Sequence, residues 1–188
     1  MTYFVTGATG FIGRFLVQSL LQRGKGTIYV LVRPKSLGKL DELREFWGKD
    51  SVKRVVPIKG DLAQPKLGVS KGDLTKLKGK VKHLFHLGAV YDLEASAEEM
   101  HKANIVGTES ALAFANAVNA GCFHLVSSIA AAGLYRGTFT EDMFEEAEGL
   151  DHPYYRTKHD SEGLVRTNGR IPFRVYRPGV VVGHSQTG

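Results

Sequence analysis

The sequence predicts an α/β domain built on a doubly wound parallel sheet, with helices on both faces of the sheet. Three observations carry this prediction: apolar segments of strand length alternate with segments of helical periodicity, a glycine-rich turn follows the first strand segment, and no apolar run is long enough to span a bilayer. A chain of 188 residues, 43% hydrophobic and 23% charged, is typical of one globular domain, so we expect residues 1–188 to form a single domain.

The predicted elements follow one another in strand–helix order. Short segments rich in β-branched and aromatic residues predict strands over 2–6, 27–32, 55–58, 83–87, 123–127 and 173–176. Apolar residues at helical spacing predict helices over 11–22, 37–47, 103–119 and 154–166. Gly24 and Gly26 end the first helix, and Arg177-Pro178-Gly179 closes the last strand. This alternation is typical of βαβ units, whose strands are parallel.

Composition excludes several classes of protein. Lysine and arginine total 25 against 19 acidic residues, and the net charge of +6 favours an anionic ligand but is too small for a nucleic-acid surface. The single cysteine, Cys122, excludes a disulfide framework within the chain and a cysteine-rich zinc site. The sequence starts without a charged leader ahead of an apolar core, and we expect a cytoplasmic protein without a transmembrane segment.

The strongest local signal is the turn Thr6-Gly7-Ala8-Thr9-Gly10-Phe11-Ile12-Gly13, which lies between a strand and a helix. Gly7 permits a tight turn, Gly10 lets the backbone approach a pyrophosphate, and Gly13 lets the helix pack closely on the sheet. The N–H groups at the start of the helix then face the anion. The spacing is Gly-x-x-Gly-x-x-Gly, and the alternative is a plain loop between strand and helix that contains convenient glycines.

The end of the second strand indicates which dinucleotide binds. An acidic residue about 20 positions past the turn would bind the ribose 2′-hydroxyl of NAD. Arg33 stands there instead, with Lys35 nearby and no carboxylate before Asp41, and Arg14 adds a cation in the first helix. A guanidinium suits the 2′-phosphate, so we predict NADP(H) as the cofactor; the alternative is that Arg33 is a solvated loop residue. Asp61, after the third strand, either accepts from the adenine amino group or caps a turn.

A tyrosine–lysine pair predicts proton transfer. Tyr154 and Lys158 are four residues apart, which places them on one face of a helix. A free tyrosine has a pKa of about 10, and a neighbouring ammonium lowers that pKa and makes the phenol a usable acid near neutral pH. Tyr155 has His159 at the corresponding position, so the spacing favours Tyr154.

Two further polar residues are candidates for the same site. Ser127-Ser128 ends the fifth strand, where a hydroxyl can hydrogen-bond a substrate carbonyl or cap a turn. Asn104, at the head of the predicted long helix, either holds a water or a backbone contact near Lys158 or is a cap. His83 and His86 are three residues apart on a strand, so they face opposite sides of the sheet, and we predict that they form no metal site. Cys122 lies beside a predicted strand, and we interpret it as a small hydrophobic residue.

These motifs together resemble the extended short-chain dehydrogenase/reductase superfamily. The resemblance runs in order from residue 2 to residue 188 and includes the glycine turn, Asn104 in Asn-Ile-Val-Gly-Thr, Ser128, Tyr154 with Lys158, and Arg177-Pro178-Gly179. Three segments resemble the NADPH-dependent thioester reductases, especially the N-terminal part of bacterial alcohol-forming fatty acyl-CoA reductases. They are Leu31-Val32-Arg33-Pro34, His86-Leu87-Gly88-Ala89-Val90-Tyr91-Asp92 and Asp142-Met143-Phe144-Glu145-Glu146.

The resemblance implies a role for each matching residue. Tyr154 matches the proton donor, Lys158 the residue that lowers its pKa and holds the ribose, Ser128 the carbonyl-binding hydroxyl, and Asn104 the fourth catalytic position. Cofactor positions match Gly7, Thr9, Gly10, Phe11, Ile12, Gly13, Arg14, Arg33, Asp61, Leu62, Gly88, Ala89, Tyr154, Lys158, Pro178, Gly179 and Val181. Gly88 stands where the family usually has alanine.

The resemblance implies an acyl thioester, such as a fatty acyl-CoA, as substrate and an aldehyde or alcohol as product. The family continues well past residue 188, so we expect a fragment of a longer chain that lacks most of the substrate-binding part, with an uncovered strand edge that favours association between copies. Lys76, Lys78, Lys80 and Lys82 can meet coenzyme A phosphates or an anionic membrane surface, although a solvated loop is the favoured interpretation. Alternatives are a nucleotide-sugar epimerase or dehydratase and a non-catalytic NADP-sensing or scaffold protein.

Overall fold

The computed structural model describes residues 1–90 and 94–185, and its centre is one six-stranded, all-parallel sheet. The strands are β1 (Tyr3–Thr6), β2 (Ile28–Val32), β3 (Val55–Lys59), β4 (His83–His86), β5 (Phe123–Val126) and β6 (Phe173–Tyr176). Their order across the sheet is β3-β2-β1-β4-β5-β6. This is the strand order of dinucleotide-binding doubly wound folds, so the predicted fold class is confirmed.

Helices connect the strands. They are α1 (Phe11–Arg23), α2 (Leu37–Trp47), α3 (Ser51–Arg54), α4 (Lys71–Leu77), α5 (Ala97–Met100), α6 (Gly107–Ala117) and α7 (Pro153–Asn168). Three of the four predicted helices lie where the periodicity places them. The predicted helix over 103–119 instead begins at Ala97, because Ser96 and Glu99 form a capping box there, and its stretch His101–Val106 has π-helical hydrogen bonding before α6.

The interpretation of the segment with Lys76, Lys78, Lys80 and Lys82 as a loop is wrong for Lys76, which lies in helix α4. Lys76 lies in the last turn of α4, and its ammonium is 5.8 Å from the ring centroid of Tyr29 on β2. Ser70 caps the helix by accepting from the N–H of Asp73. The other three lysines, Lys78, Lys80 and Lys82, lie between the end of α4 and the start of β4, outside helix and strand.

The two faces of the sheet are buried by different helices. On one face, Phe4 packs with α6, its ring centroid 4.5 Å from that of Phe114, in a core that also includes residues of α4 and α7. On the other face, Tyr3 and Val5 belong to a core completed by α1 and α2. Alternate residues of β1 therefore bury against opposite layers, as side-chain alternation along a strand requires.

The sheet places the glycine turn at its topological switch point. The chain leaves β1 toward β2 on one side, while β4 lies on the other side, with Thr6 and His86 as register partners at the carboxyl ends. The turn after β1 therefore meets the segment Leu87–Val90 after β4. In open α/β sheets, ligands bind in the crevice at such a point.

Strand β6 forms one edge of the described sheet. Phe173 and Tyr176 are 37% and 41% exposed, which is high for aromatic residues of a strand. None of the helices in the described ranges is long and apolar enough to cross a membrane. Of the motif that spans residues 86–92, Tyr91 and Asp92 lie outside the described residues.

Candidate active site

The glycine turn has the geometry that its sequence predicts. Gly7 has φ +71°, a region that favours glycine, and a Cβ there would lie 2.8 Å from the backbone nitrogen of Gly88. A Cβ on Gly13 would collide with the carbonyl oxygen of Gly7, so any side chain at that position would push α1 away from the turn. These two glycines let the first helix start close to both β1 and the segment after β4.

The N-terminus of α1 is open to an anion. Gly10 is the N-cap, no side chain caps the helix, and its first turn carries no acidic residue. Residues 9–12 are exposed, so the first N–H groups of the helix face solvent at the switch point. Unpaired N–H groups and the helix dipole together favour a phosphate, which is the group of a dinucleotide that the predicted turn would hold.

Arg33 lies directly after β2. Its side chain is exposed and makes no ion pair or hydrogen bond with the described residues, while its carbonyl accepts from the N–H of Ser36. Lys35 is exposed beside it. Both cations are therefore available to an anionic ligand.

Arg14 is held differently, inside a cluster of aromatic rings. Its guanidinium carbon is 5.0, 4.9 and 5.7 Å from the ring centroids of Phe11, Phe15 and Phe46. Its Nε is buried and has no hydrogen-bond partner. A guanidinium that stacks on ring faces keeps its charge and its planar fork oriented, so Arg14 can add positive potential near the turn.

Asp61 and Leu62 flank the same crevice. One carboxylate oxygen of Asp61 accepts from the N–H of Ala63 at 2.9 Å, which is the turn-capping role that the sequence left open beside an adenine contact. Leu62 packs directly on Gly88, where a Cβ would collide with Cδ1 of Leu62. Glycine at this position therefore lets Leu62 pack against the backbone of Gly88.

Ser128 follows β5 at the same edge of the sheet. Its Oγ accepts from the N–H of Ala130 at 3.1 Å and caps the 3₁₀ turn Ile129–Ala132. Because the hydroxyl is the acceptor in that bond, its proton stays free to be donated to a ligand. Pro178 lies alongside, since its carbonyl accepts from the N–H of Ile129, and Gly179 and Val181 continue as an exposed segment.

Lys158 is buried, with 6% of its surface exposed. Burial lowers the pKa of Lys158 to about 8. It lines a cavity of about 10 Å³, room for roughly one water, together with Asn104, His86 and Ala89. One turn earlier on α7, Tyr154 is half-buried on the same helix face.

Asn104 does not lie at the predicted head of a helix, but it makes the predicted contact with the backbone. It does not head a helix: it lies in the π-helical stretch, one turn after α5. Its side chain accepts from the N–H of Val90 at 2.9 Å and donates to the carbonyl of Val90 at 3.1 Å. It also donates to Thr157 Oγ1 on α7 at 3.1 Å, so it ties the segment after β4 to the helix of Tyr154 and Lys158.

Glu162 is a buried carboxylate that the sequence analysis missed. Its side chain accepts from Ser127 Oγ, from Arg166 and from Arg177, and Arg177 also donates to the carbonyls of Thr140 and Met143. Burial alone would raise the pKa of Glu162, but the hydrogen bonds and charges of the two arginines outweigh it and hold the pKa below its ordinary value. The spacing of Glu162 and Arg166, four apart on a helix, was the available signal.

A pair of histidines lies at the opposite, amino-terminal edge of the strands. His83 Nδ1 and His124 Nε2 are 2.9 Å apart, and the ligand atoms of His83, His124 and Cys122 lie within 4.8 Å of one another. Three such atoms can bind a metal. Burial is the main cause that lowers the pKa of both histidines, and the positive charge of Arg174 lowers it further. The same charge opposes the binding of a metal cation. We therefore expect a hydrogen-bonded histidine pair here.

Comparison with known proteins identifies the family. The model of the Male sterility protein family, an NAD-binding domain, matches residues 5–188. The chain belongs to this family. The family lies within the extended short-chain dehydrogenase/reductase superfamily, as the motifs predict.

The relatives of this family member include large synthetases and reductases. It is 36% identical over 199 residues to a linear gramicidin synthase from Brevibacillus parabrevis, covering 98% of this chain and 4% of that synthase chain. It is 31% identical over 213 residues to the large subunit of L-2-aminoadipate reductase from Penicillium chrysogenum, covering 100% of this chain and 15% of that subunit. The chain therefore spans a small part of the curated relatives it matches.

Solved structures agree with the fold and differ in chemistry. The terminal R domain from the myxalamid PKS-NRPS biosynthetic pathway superposes with a TM-score of 0.85 at 32% identity, over 98% of this chain and 50% of that chain. A UDP-glucuronic acid 4-epimerase from Bacillus cereus, in complex with NAD, superposes with a TM-score of 0.74 at 25% identity, over 97% of this chain and 58% of that chain. The shared sheet alone does not separate these two chemistries.

Proposed function

We propose that this family member is the NADPH-binding part of a reductase that converts an acyl thioester, such as a fatty acyl-CoA, to an aldehyde and/or an alcohol. The observation that carries the proposal is the buried Lys158 one helical turn after Tyr154, at the sheet edge where Ser128 keeps a free hydroxyl proton. The names of the relatives, several of them reductases, support thioester reduction in general.

The residues of this chain suit that chemistry. NADPH, when bound, supplies a hydride to the carbonyl carbon. Ser128 and Tyr154 would hydrogen-bond the carbonyl oxygen as negative charge builds on it. Tyr154 would then deliver its proton to that oxygen, and the charge of Lys158 would favour the phenolate that remains. Collapse of the tetrahedral product breaks the carbon–sulfur bond and releases the thiol and an aldehyde.

The test measures NADPH oxidation with thioesters of coenzyme A and with thioesters of a carrier protein. An active enzyme that contains this chain should oxidise NADPH with fatty acyl-CoA and release free thiol. One NADPH per thiol is expected if reduction stops at the aldehyde, and two if the aldehyde is reduced to the alcohol. If only a carrier-protein thioester is reduced, the assignment as a thioester reductase is retained and the assignment of coenzyme A as the carrier is wrong. If no thioester is reduced and a nucleotide sugar is converted instead, the proposal is wrong.

The epimerase alternative rests on the structural similarity described above. That enzyme holds NAD, whereas Arg33 of this chain occupies the place of a ribose-binding carboxylate. A non-catalytic NADP-sensing protein would not need a buried lysine beside a tyrosine and a serine. Both alternatives predict no loss of thioester with NADPH.

The cofactor preference gives the first testable prediction. Arg33→Ala should weaken NADPH binding by about tenfold, because a charge-assisted bond to the 2′-phosphate is lost, and should leave NADH binding nearly unchanged. Titration of both cofactors by fluorescence measures the two affinities. Lys39→Ala, which removes an exposed cation on α2, is the matched control and should change neither. Equal losses for both cofactors would contradict the assignment.

A second prediction concerns the chain by itself. It spans half of the chain of the myxalamid R domain, so we propose that most of the substrate-binding wall is contributed by residues outside it. The chain should bind NADPH and show almost no acyl-CoA reduction, because nothing holds the thioester in position for attack. Steady-state reduction of a long-chain acyl-CoA by this chain as a monomer would overturn this prediction.

Self-association follows from the same proposal. The exposed aromatic residues of edge strand β6 offer unpaired backbone groups and apolar surface to a second copy. Light scattering should show oligomers whose proportion rises with concentration. Phe173→Lys, which places a charge on that edge, should shift the population toward monomer.

A further inference from the structure

His86 is buried at the carboxyl end of β4, between the glycine turn and α6, and nothing in the chemistry described above uses it. Only 2% of its surface is exposed. Thr6, the last residue of β1 before the turn, is its register partner on one side, and Leu125 on β5 is its partner on the other. Both ring nitrogens are paired: Nδ1 lies 2.8 Å from Thr6 Oγ1, and Nε2 lies 3.2 Å from Thr108 Oγ1.

The partners of the two threonines determine where the imidazole proton resides. Thr108 Oγ1 is 2.6 Å from the carbonyl oxygen of Asn104, which can only accept, so the single hydroxyl proton of Thr108 is used there. His86 Nε2 must therefore donate to Thr108. Thr6 Oγ1 already accepts from the N–H of Gly88 at 3.2 Å and keeps its own proton for Nδ1. The network is satisfied when His86 is neutral with its proton on Nε2.

The surroundings of the ring disfavour a second proton. Burial lowers the pKa of His86 to about 3, and the charge of Lys158 contributes in the same direction. Protonation of Nδ1 would also leave the hydroxyl proton of Thr6 facing another donor. Geometry and charge therefore agree on one tautomer.

The bonds run in one direction from the cofactor turn to the catalytic helix. They pass from Gly88 N–H through Thr6, His86 and Thr108 to the backbone of Asn104. The side chain of Asn104 then contacts Val90 and donates to Thr157 Oγ1, which donates to the carbonyl of Tyr154. Each member has its donors and acceptors matched, and such fully satisfied buried networks specify one arrangement.

We propose that His86 is a positioning residue, locked as the Nε2–H tautomer, that sets the position of Asn104 and the Tyr154 helix relative to the glycine turn. The proposal rests on the proposed function for its catalytic consequence, because it assigns Tyr154 and the turn to one reaction. Its structural content, a fixed tautomer coupled to cofactor binding, does not depend on the substrate.

The first test is spectroscopic and uses the 188-residue chain. Two-bond ¹H–¹⁵N spectra of the histidine rings should show His86 with a protonated Nε2 and an unprotonated Nδ1, unchanged between about pH 5 and pH 8, where an ordinary histidine titrates. Thr108→Val keeps the shape of the side chain but removes the acceptor, so the Nε2 signal of His86 should shift in this variant. A protonated Nδ1, a mixture of tautomers or a titrating ring would overturn the proposal.

The second test is NADPH affinity. His86→Phe retains a ring but removes both hydrogen bonds, and it should weaken NADPH binding by at least about tenfold. The matched control is His83→Phe, since His83 is on the same strand, faces the opposite side of the sheet and also hydrogen-bonds another histidine. Equal affinities for the two variants would overturn the proposal. If His86→Phe does not fold, Thr108→Val replaces it, with an expected loss of about threefold, and wild-type affinity in that variant would be the contrary result.

The outcomes also separate this proposal from the proposed function. A fixed Nε2–H tautomer and the affinity loss, found in a protein that reduces no thioester, would retain the positioning role and refute the substrate class. Thioester reduction by a protein in which His86 titrates freely would support the proposed function and refute the positioning role of His86.

Discussion

Tyr154→Phe should lower thioester turnover by a factor of about 100 or more in an active reductase that contains this chain, and should leave NADPH affinity nearly unchanged. The substitution removes the phenolic proton and keeps the ring, which is half-buried on the helix face of Lys158. A lost general acid typically costs this much. Single-turnover measurement of NADPH oxidation at saturating thioester isolates the chemical step from binding.

Tyr155→Phe is the matched control, because Tyr155 is the next residue on the same helix, its ring lies 5.2 Å from that of His152, and the residue four positions after it is His159 and not a lysine. We expect a change of less than about twofold, as for a hydroxyl that touches no reacting group. If Tyr155→Phe is the damaging substitution, the spacing argument that selected Tyr154 is wrong. Equal, mild effects of both would remove the tyrosine from the mechanism.

Glu162→Gln should lower the free energy of unfolding by about 3 kcal/mol, because it leaves two arginines facing a neutral amide in a buried site. The carboxylate is fully buried and pairs with Arg166 at 2.8 Å and Arg177 at 2.6 Å. Since Arg177 also binds the carbonyls of Thr140 and Met143, the loss would loosen the loop that packs on α7. For a chain of this size, such a change lowers Tm by roughly 6–12 °C.

The control is Asp160→Asn on the exposed side of the same helix, for which we expect a change within about 0.5 kcal/mol. The pH dependence has a definite sign. Because the native pKa of Glu162 is held below its ordinary value, its stabilisation is present above the unfolded pKa and is lost as pH falls through the native pKa. The difference between wild type and Glu162→Gln should therefore shrink in acid, and a difference that grows there would contradict the ion-pair account.

The backbone path of the glycine turn was predictable because its signal is local. A Gly-x-x-Gly-x-x-Gly spacing between a strand and a helix specifies a backbone path, and Gly7 and Gly13 take it because any Cβ there would strike neighbouring backbone. The pairing of Tyr154 with Lys158 needs only the pitch of a helix. Each of these inferences depends on residues close together in the chain, where spacing alone determines geometry.

By itself, the sequence determined the alternation of strands and helices, the turn, the cation at Arg33 and the Tyr154–Lys158 face, all of which arise from short-range periodicity and residue chemistry. Only the tertiary structure decided that Asn104 bridges Val90 and Thr157, that Glu162 is the buried partner of Arg177, and that His86 joins Thr6 to Thr108. The physical reason is sequence separation, because these partners lie on different segments of the chain, between 14 and 80 residues apart. Which polar groups meet inside a fold depends on how the sheet order and helix packing bring distant segments together, and no local pattern records that.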